Sequence, residues 1–319
     1  EKMDKNSLMK AVKVANNKVE VCSVPEPKGD GVLIKVKSVG ICGSDLHLID
    51  SGLMNVTPGH EIAGVTSSGV NVAIEPMLSC GVCIDCENGN QPYCEIALPN
   101  TMGIGIDGGM AEKVIVPDRF LVRLDSNVDI NSAFLIEPLA VAVRSLLRVN
   151  ANKAGRIIVV GGGTIGLCCV AVAKHLGAEV ELVARHAHQA EAGFKLGALR
   201  SQGKSANIVV EAAGTSSALL EAVSLCEKGG AVAIPATYWD PVQLPGMEIG
   251  MREISLIPSI TYGHTKGGRD FQLAAKILAG TPELPEAIIT HRFNLDGAPE
   301  AFEVARTRNE GAIKVALQV

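Results

Sequence analysis

The stretch RIIVVGGGTIGLCCVAVAKHLGA, residues 156–178, decides how this chain is read. Ile157–Val160 is a short apolar strand. The turn after it carries G-x-G-x-x-G at Gly161, Gly163 and Gly166, and an apolar helix opens at Thr164 and Ile165. In a strand–turn–helix setting the glycines allow a tight turn, backbone approach to a pyrophosphate and close helix–strand packing, while the helix N-terminus offers N–H donors and the positive end of its dipole. Gly161, Gly163, Thr164, Ile165 and Gly166 are therefore candidate cofactor-binding residues. A glycine-rich turn without a ligand is the bland alternative. Working outward, VELVA (180–184), NIVVEAAG (207–214) and GGAVAIPAT (229–237) are further short apolar strands spaced by helical stretches. Alternation from about residue 155 to 290 predicts an α/β domain with a doubly wound parallel sheet.

The end of the second strand selects the dinucleotide. An NAD site usually places an acidic residue there, on the ribose 2′-hydroxyl. Here EVELVARH (179–186) ends in Ala184, Arg185 and His186. Arg185 can neutralise a 2′-phosphate, whereas Glu181 lies mid-strand, where its side chain would not reach the crevice. NADP is expected in preference to NAD, with Arg185 as a plain surface charge the alternative.

The first half of the chain has another texture. KVEVCSV (18–24), GVLIKVKSVG (31–40), NVAIEP (71–76) and MAEKVIVP (110–117) read as β segments broken by Pro and Gly, and a helix is expected from Asn131 with LIEPLAVAVRSLLRV as its body. Nine cysteines are present, an odd number that argues against a disulfide framework. Cys80, Cys83, Cys86 and Cys94 have the spacing of a closed tetrahedral thiolate site, which would be structural. An iron–sulfur cluster also uses four thiolates, but zinc ranks ahead of it. A dispersed set, GICGSDLH (40–47), PGHE (58–61) and IEPL (136–139), offers Cys42, His60, Glu61 and Glu137. Each alone is unremarkable, and together they suit a catalytic zinc with an exchangeable position.

With 319 residues, about two domains are expected. A net charge of −5 excludes a basic nucleic-acid-binding surface as the main business, and 47% hydrophobic residues exclude disorder. The longest uncharged run, Ile157–Ala173, is interrupted by four glycines, so no membrane span is expected. The segment EKMDKNS is not followed by an apolar signal core, and a cytoplasmic location is expected by default.

Taken in order, GICGSDLH, PGHEIAG, the four-cysteine segment, DGGMAEKVIVP, EPLAVAV and VVGGGTIGL resemble the zinc-dependent medium-chain dehydrogenases/reductases, in the branch of sorbitol and threonine dehydrogenases. The resemblance covers nearly the whole chain. It implies a mainly β, GroES-like catalytic domain over residues 1–150 and 286–319 with a structural zinc lobe at 80–94, and a Rossmann dinucleotide-binding domain over 151–285. It implies two zinc ions per chain. Cys42, His60 and Glu61 would hold the catalytic one, with Glu137 where ordinary alcohol dehydrogenases have Cys, and the Cys₄ lobe would hold the other. Ser44 and His47 map to the family's proton relay, with Asp45 steadying the site. The chain departs from the family in a shortened stretch after Gly64, a shortened stretch within 196–214, and Arg144 where a His usually follows EPLAVAV.

The implied activity is reversible hydride transfer between a secondary alcohol or polyol and NAD(P), catalysed by Cys42, Ser44, His47, His60 and Glu61. The expected partners are a small alcohol or ketone and further copies of the chain in a homodimer or homotetramer, with ISLIPSITYG (254–263) as the strand that could pair across a two-fold axis. No nucleic acid or membrane partner is expected. The competing readings are a zinc-stabilised nucleotide-binding protein without turnover, and a zinc-free quinone or enone reductase of the same fold. The four retained ligands oppose the first, and the cysteine-rich features oppose the second.

Overall fold

Strand β3 shows how the first half of the chain is built. In the computed structural model, which describes residues 7–265, 268–307 and 310–319, β3 spans Val32–Ile41. Ile34 and Val36 turn inward while Leu33 and Lys35 face out, the period-2 pattern of a half-buried strand. From Ser38 to Ile41 both faces are buried, because here the strand reaches the centre of its sheet. Before it, β1 (Leu8–Ala15) and β2 (Lys18–Pro25) form a hairpin, closed by Asn16 and Asn17 with left-handed backbone. After it come helix α1 (Gly43–Asp50), β4 (Glu61–Thr66), β5 (Asn71–Ile74), α2 (Ile84–Glu87), β6 (Lys113–Val116) and β7 (Leu121–Arg123). The shortened stretch after Gly64 is a tight β4–β5 turn, with Gly69 at φ +83° and its N–H donated to the Thr66 carbonyl.

The helix expected from Asn131 begins later. Asp129 takes the Asn131 N–H on its side chain and the Ser132 N–H on its carbonyl, which holds that segment as a turn. A single 3₁₀ turn, Ala133–Leu135, precedes α3 (Ile136–Arg148). The chain divides into two compact units within α3: residues up to Glu137 with Ile289–Val319 form one, and Pro138–Ile288 the other.

The second unit runs β8 (Arg156–Val160), α4 (Thr164–His175), β9 (Glu179–Val183), α5 (Ala187–Lys195), β10 (Leu199–Arg200), β11 (Ala206–Glu211), α6 (Ser216–Leu225), β12 (Cys226–Ile234), α7 (Gly246–Arg252), β13 (Ser255–Pro258), a short β14–β15 ribbon (His264–Thr265, Gly268–Arg269), α8 (Asp270–Gly280) and α9 (Leu284–Ile288). Its six strands are parallel in the order β10-β9-β8-β11-β12-β13, so the order reverses between β8 and β11. Ile157–Val160 are buried on both faces, as a central parallel strand requires. Two details bear on the sequence reading. Residues 201–205 connect β10 to β11 without a helix, and their backbone is held by Arg156 and by Glu181, which accepts the Gln202 N–H at 2.9 Å. Of ISLIPSITYG only Ser255–Pro258 is strand, since Pro258 ends the run.

The chain then returns to the first unit through β16 (Ile289–Asn294), α10 (Ala298–Arg306) and β17 (Lys314–Gln318). The sheet there has the order β16-β17-β3-β4-β5-β7, with β6 also paired to β3. β17 runs antiparallel to β3 with Val315 opposite Ile41. Among the described residues no helix is long and apolar enough to cross a membrane.

The glycine turn is set by sterics. Gly161 has φ +109°, open to glycine alone without strain, and a Cβ on Gly166 would lie 1.8 Å from the Gly161 carbonyl oxygen. A Cβ on Gly163 would meet nothing within 4 Å. Gly166→Ala is expected to cost about 1–3 kcal/mol, read as a drop in thermal midpoint. Gly163→Ala should leave the midpoint within experimental error.

Candidate active site

β3 ends by delivering Cys42 to the N-cap of α1, in extended backbone (φ −95°, ψ 155°). Asp45, the third residue of α1, is fully buried and turns back on the cap, its Oδ2 accepting the Cys42 N–H at 2.9 Å. Its Oδ1 lies 3.4 Å from Nδ1 of His60, and both atoms are buried without a well-formed hydrogen bond. His60 follows Gly59, which at φ +97° has no room for a Cβ against Met110 and Val39, so the PGHE turn needs its glycine. Burial disfavours a charged His60 ring, but Asp45 and Cys42 outweigh it and hold the imidazole well above its ordinary value.

Donor atoms of Cys42, His60 and Glu61 lie within 4.8 Å of one another. Glu61, the first residue of β4, is almost fully buried and bound on both oxygens by Nζ of Lys314, at 2.6 and 2.9 Å. The same ammonium donates to the Ile41 carbonyl at 3.0 Å. Burial would lower Lys314, yet Glu61, Cys42 and Glu137 together raise it, so it stays cationic. Gly40 makes room for the carboxylate, since a Cβ there would stand 1.8 Å from Glu61 Oε2. Glu137, buried in the first turn of α3, falls outside the 4.8 Å group and acts on Lys314 through its charge. Ser44 is half-buried in the first turn of α1, and His47 stands exposed one turn on.

A thiol, an imidazole and a carboxylate within 4.8 Å form a mixed N/S/O donor set of the kind zinc takes in sites that keep an open position. The Asp45–His60 arrangement adds to the fit. With Nδ1 turned to a carboxylate, the ring's other nitrogen is left for a metal. Lys314 was not singled out from the sequence. The signal available was a lone lysine in the otherwise apolar run AIKVAL (312–317).

The cysteine lobe is a second, separate group. The thiols of Cys80, Cys83, Cys86 and Cys94 lie within 4.8 Å of each other, with the Sγ atoms of Cys80 and Cys86 3.9 Å apart. The N–H groups of Val82 and Cys83 point at Cys80 Sγ from 3.4 and 3.3 Å and pull that thiol down to about 6. Such donors favour thiolates, which fits a metal in the loop.

In the second unit, α4 begins at Thr164 with Gly163 as its N-cap, and Ile165 is half-buried in its first turn. Arg185 is exposed just past the end of β9. Glu181 is buried mid-strand, paired with Arg156 at 2.9 Å and bound to the Gln202 N–H. Beside the glycine turn, Glu211 is buried at the end of β11, a carboxylate the sequence reading passed over.

Known proteins carry the same two units. Residues 28–126 match the alcohol dehydrogenase GroES-like domain, and residues 164–279 match the zinc-binding dehydrogenase family. The chain is 29% identical to a sorbitol dehydrogenase of Bacillus subtilis, with 96% of each chain covered. A zinc-binding dehydrogenase of Sinorhizobium meliloti, solved with bound NADP, is similar with TM-score 0.85 and 25% identity over 98% of this chain and 100% of that one. An Escherichia coli alcohol dehydrogenase solved with NADH has TM-score 0.86 and 26% identity, with the same coverage. On its sequence motifs, its two folds and these relatives, the chain belongs to the zinc-dependent medium-chain dehydrogenase/reductase family.

Proposed function

We propose that this enzyme oxidises a secondary hydroxyl of a polyol or related polyhydroxy compound, reversibly and with NADP(H) preferred. The observation that carries the reading is the Cys42–His60–Glu61 donor cluster, backed by Asp45 and Lys314. Cys42, His60 and Glu61, with Glu137 in reserve, would hold one zinc, and Cys80, Cys83, Cys86 and Cys94 a structural one. When bound, zinc supplies a Lewis acid that lowers the pKa of an alcohol, and the nicotinamide supplies the hydride acceptor. Asp45 keeps the His60 ring in one orientation. Ser44, two residues beyond Cys42, can accept the alcohol's proton and pass it on. His47, exposed on the same helix, can hold that proton and release it to water. The extra carboxylate of Glu137 makes the site more polar than a second thiolate would, which supports a polyol, as does the similarity to a sorbitol dehydrogenase.

Arg185 and the engagement of Glu181 elsewhere support NADP. A homodimer or homotetramer and a cytoplasmic location belong to the same reading. β13 is an edge strand, and nearby Leu244, Met247, Met251 and Ile260 are exposed, which supports pairing with a second copy. Nine free thiols support a reducing compartment.

The reading is tested by nicotinamide-linked oxidation across a panel of sugars, polyols, sugar acids and simple secondary alcohols, with zinc measured in the same preparation. Turnover fastest on a polyhydroxy compound is expected, and Ser44→Ala should lower kcat by about 10²–10⁴-fold with zinc content unchanged. Unchanged kcat, with hydride transfer shown to be limiting by an isotope effect, excludes the relay. Arg185→Ala should raise KM for NADP about tenfold or more and leave that for NAD within twofold, since a charge-assisted bond is removed from one ligand only. Equal effects on both would remove Arg185 from the phosphate. Lys314→Met leaves Glu61 buried and uncompensated, and should lower stability by about 3–5 kcal/mol in denaturant unfolding. A loss below about 1 kcal/mol would mean that the carboxylate has another partner.

A further inference from the structure

Lysine and arginine are absent from residues 38–112, and the same stretch carries nine Asp and Glu residues. In a chain with 29 Lys and Arg, a gap of that length segregates charge. The basic residues that bracket the gap are Lys35 and Lys37 before it and Lys113 after it, and the sheet brings them back together. Lys35 stands directly opposite Lys113 in the β3–β6 register. Like charges opposite each other across a sheet are destabilising. With Leu33 and Val65, the three lysines line an open groove of about 290 Å³. Their methylene stems and the two aliphatic side chains give it an apolar floor under a basic rim. Lys113 is paired with Glu26, whereas Lys35 and Lys37 have no ion-pair partner among the described residues.

The complementary surface lies inside the gap. The cysteine lobe exposes Val82, Ile84, Tyr93, Ile96 and Leu98, each by 45% to 78%. Single exposed apolar residues are ordinary on a protein surface, but a concentration of large ones on one short lobe marks a contact surface. Between them stand Glu87 and Glu95, both exposed, and Asp85, half-buried. Ile84 and Glu87 are three residues apart on α2, so the apolar and the acidic side chain share one face. Among the described residues none of the three carboxylates has an ion-pair partner, and no ion pair joins the lobe to the groove within one chain. The lobe is apolar and acidic, and the groove is apolar and basic, so the two match in polarity and are opposite in charge.

We propose that the cysteine lobe of one copy docks in the Lys35–Lys37–Lys113 groove of a second copy, about a two-fold axis, so that each copy gives a lobe and receives one. Such a contact is made twice and closes on itself. Added to pairing through the β13 edge it makes a tetramer, and to that extent it rests on the homo-oligomer reading. The test is the mass and the tetramer–dimer dissociation constant of the zinc-loaded protein by analytical ultracentrifugation. Lys35→Glu with Lys37→Glu sets like charges against each other and should weaken the tetramer tenfold or more, leaving dimers, as should Glu87→Lys with Glu95→Lys. All four reversals in one chain restore opposite charges and should return the constant to within about threefold of wild type. Met247→Glu with Met251→Glu reports on the β13 side. A wild type that is monomeric throughout would overturn both the oligomer reading and this proposal. Assembly that responds to the methionine pair but not to the lobe or groove pairs would overturn this proposal alone, and a groove that serves some other acidic protein would give that result. Weakening that the four reversals fail to restore would also overturn it. If the Glu87→Lys, Glu95→Lys protein loses zinc or fails to fold, the groove pair decides: an unchanged constant there overturns the proposal.

Discussion

One ammonium group, Nζ of Lys314, joins the last strand of the chain to donor groups that lie more than 250 residues earlier. Lys314 is separated from Glu61 by 253 positions, yet both oxygens of that carboxylate are bound to it. The register of β17 on β3 makes this possible: Val315 faces Ile41, so the residues next to them, Lys314 and Cys42, come together at one end of the sheet. Buried ion pairs are poor stabilisers, because desolvation consumes much of the Coulomb gain. A well-packed hydrophobic pair would serve stability as well or better. The cation also gathers the acidic groups around it: Glu61 binds it on both oxygens, and Cys42 and Glu137 act on it through their charge.

Carboxylates also fix main chain elsewhere in the molecule. Asp45 holds the cap of α1, Asp107 accepts the Thr57 N–H at 2.6 Å ahead of the PGHE turn, Glu181 holds the link after β10, and Glu211 holds the loop after β11. In each case a carboxylate takes a main-chain N–H that no helix or sheet satisfies. Such charge-assisted bonds are stronger than neutral ones and, being directional, fix the loop in one place. With aromatics at only 3% of the sequence, bulky packing is not available to do this. The loops at the candidate donor cluster and beside the glycine turn are held by charge-assisted bonds instead.

What could be read from the sequence follows sequence distance. The strand–turn–helix at 156–175 is contiguous, and its glycines sit in space as their spacing implies. The four cysteines fall within fifteen positions, and their thiols converge. The GHE segment and Cys42 are farther apart, but familiar motifs name them, and Asp45 comes with Cys42 on the same helix turn. Lys314 and Tyr238 were not legible. Their side-chain partners, Glu61 and Glu211, lie 253 and 27 positions away, and the lone lysine in AIKVAL does not by itself say which carboxylate it meets. Local hydrogen bonding accounts for the smaller misreadings. The turn at Asp129 delays α3 to Ile136, and Pro258 cuts β13 short. Hydrophobic periodicity carries no information about either.

The two donor groups differ in how much of the fold each requires. The cysteine lobe lies within residues 80–94 and supplies its own N–H donors from Val82 and Cys83. Closing so short a loop costs little chain entropy, so a metal can organise it before the rest of the unit is in place. The Cys42–His60–Glu61 cluster cannot form that way. It needs β3 and β4 in register, the start of α1, and β17 to bring Lys314, and β17 arrives only after the whole second unit has been made. Until then Glu61 lacks its counter-charge, and the donor set would repel itself. The two donor groups thus differ in reach: one is complete within residues 80–94, and the other needs the first unit closed by the end of the chain.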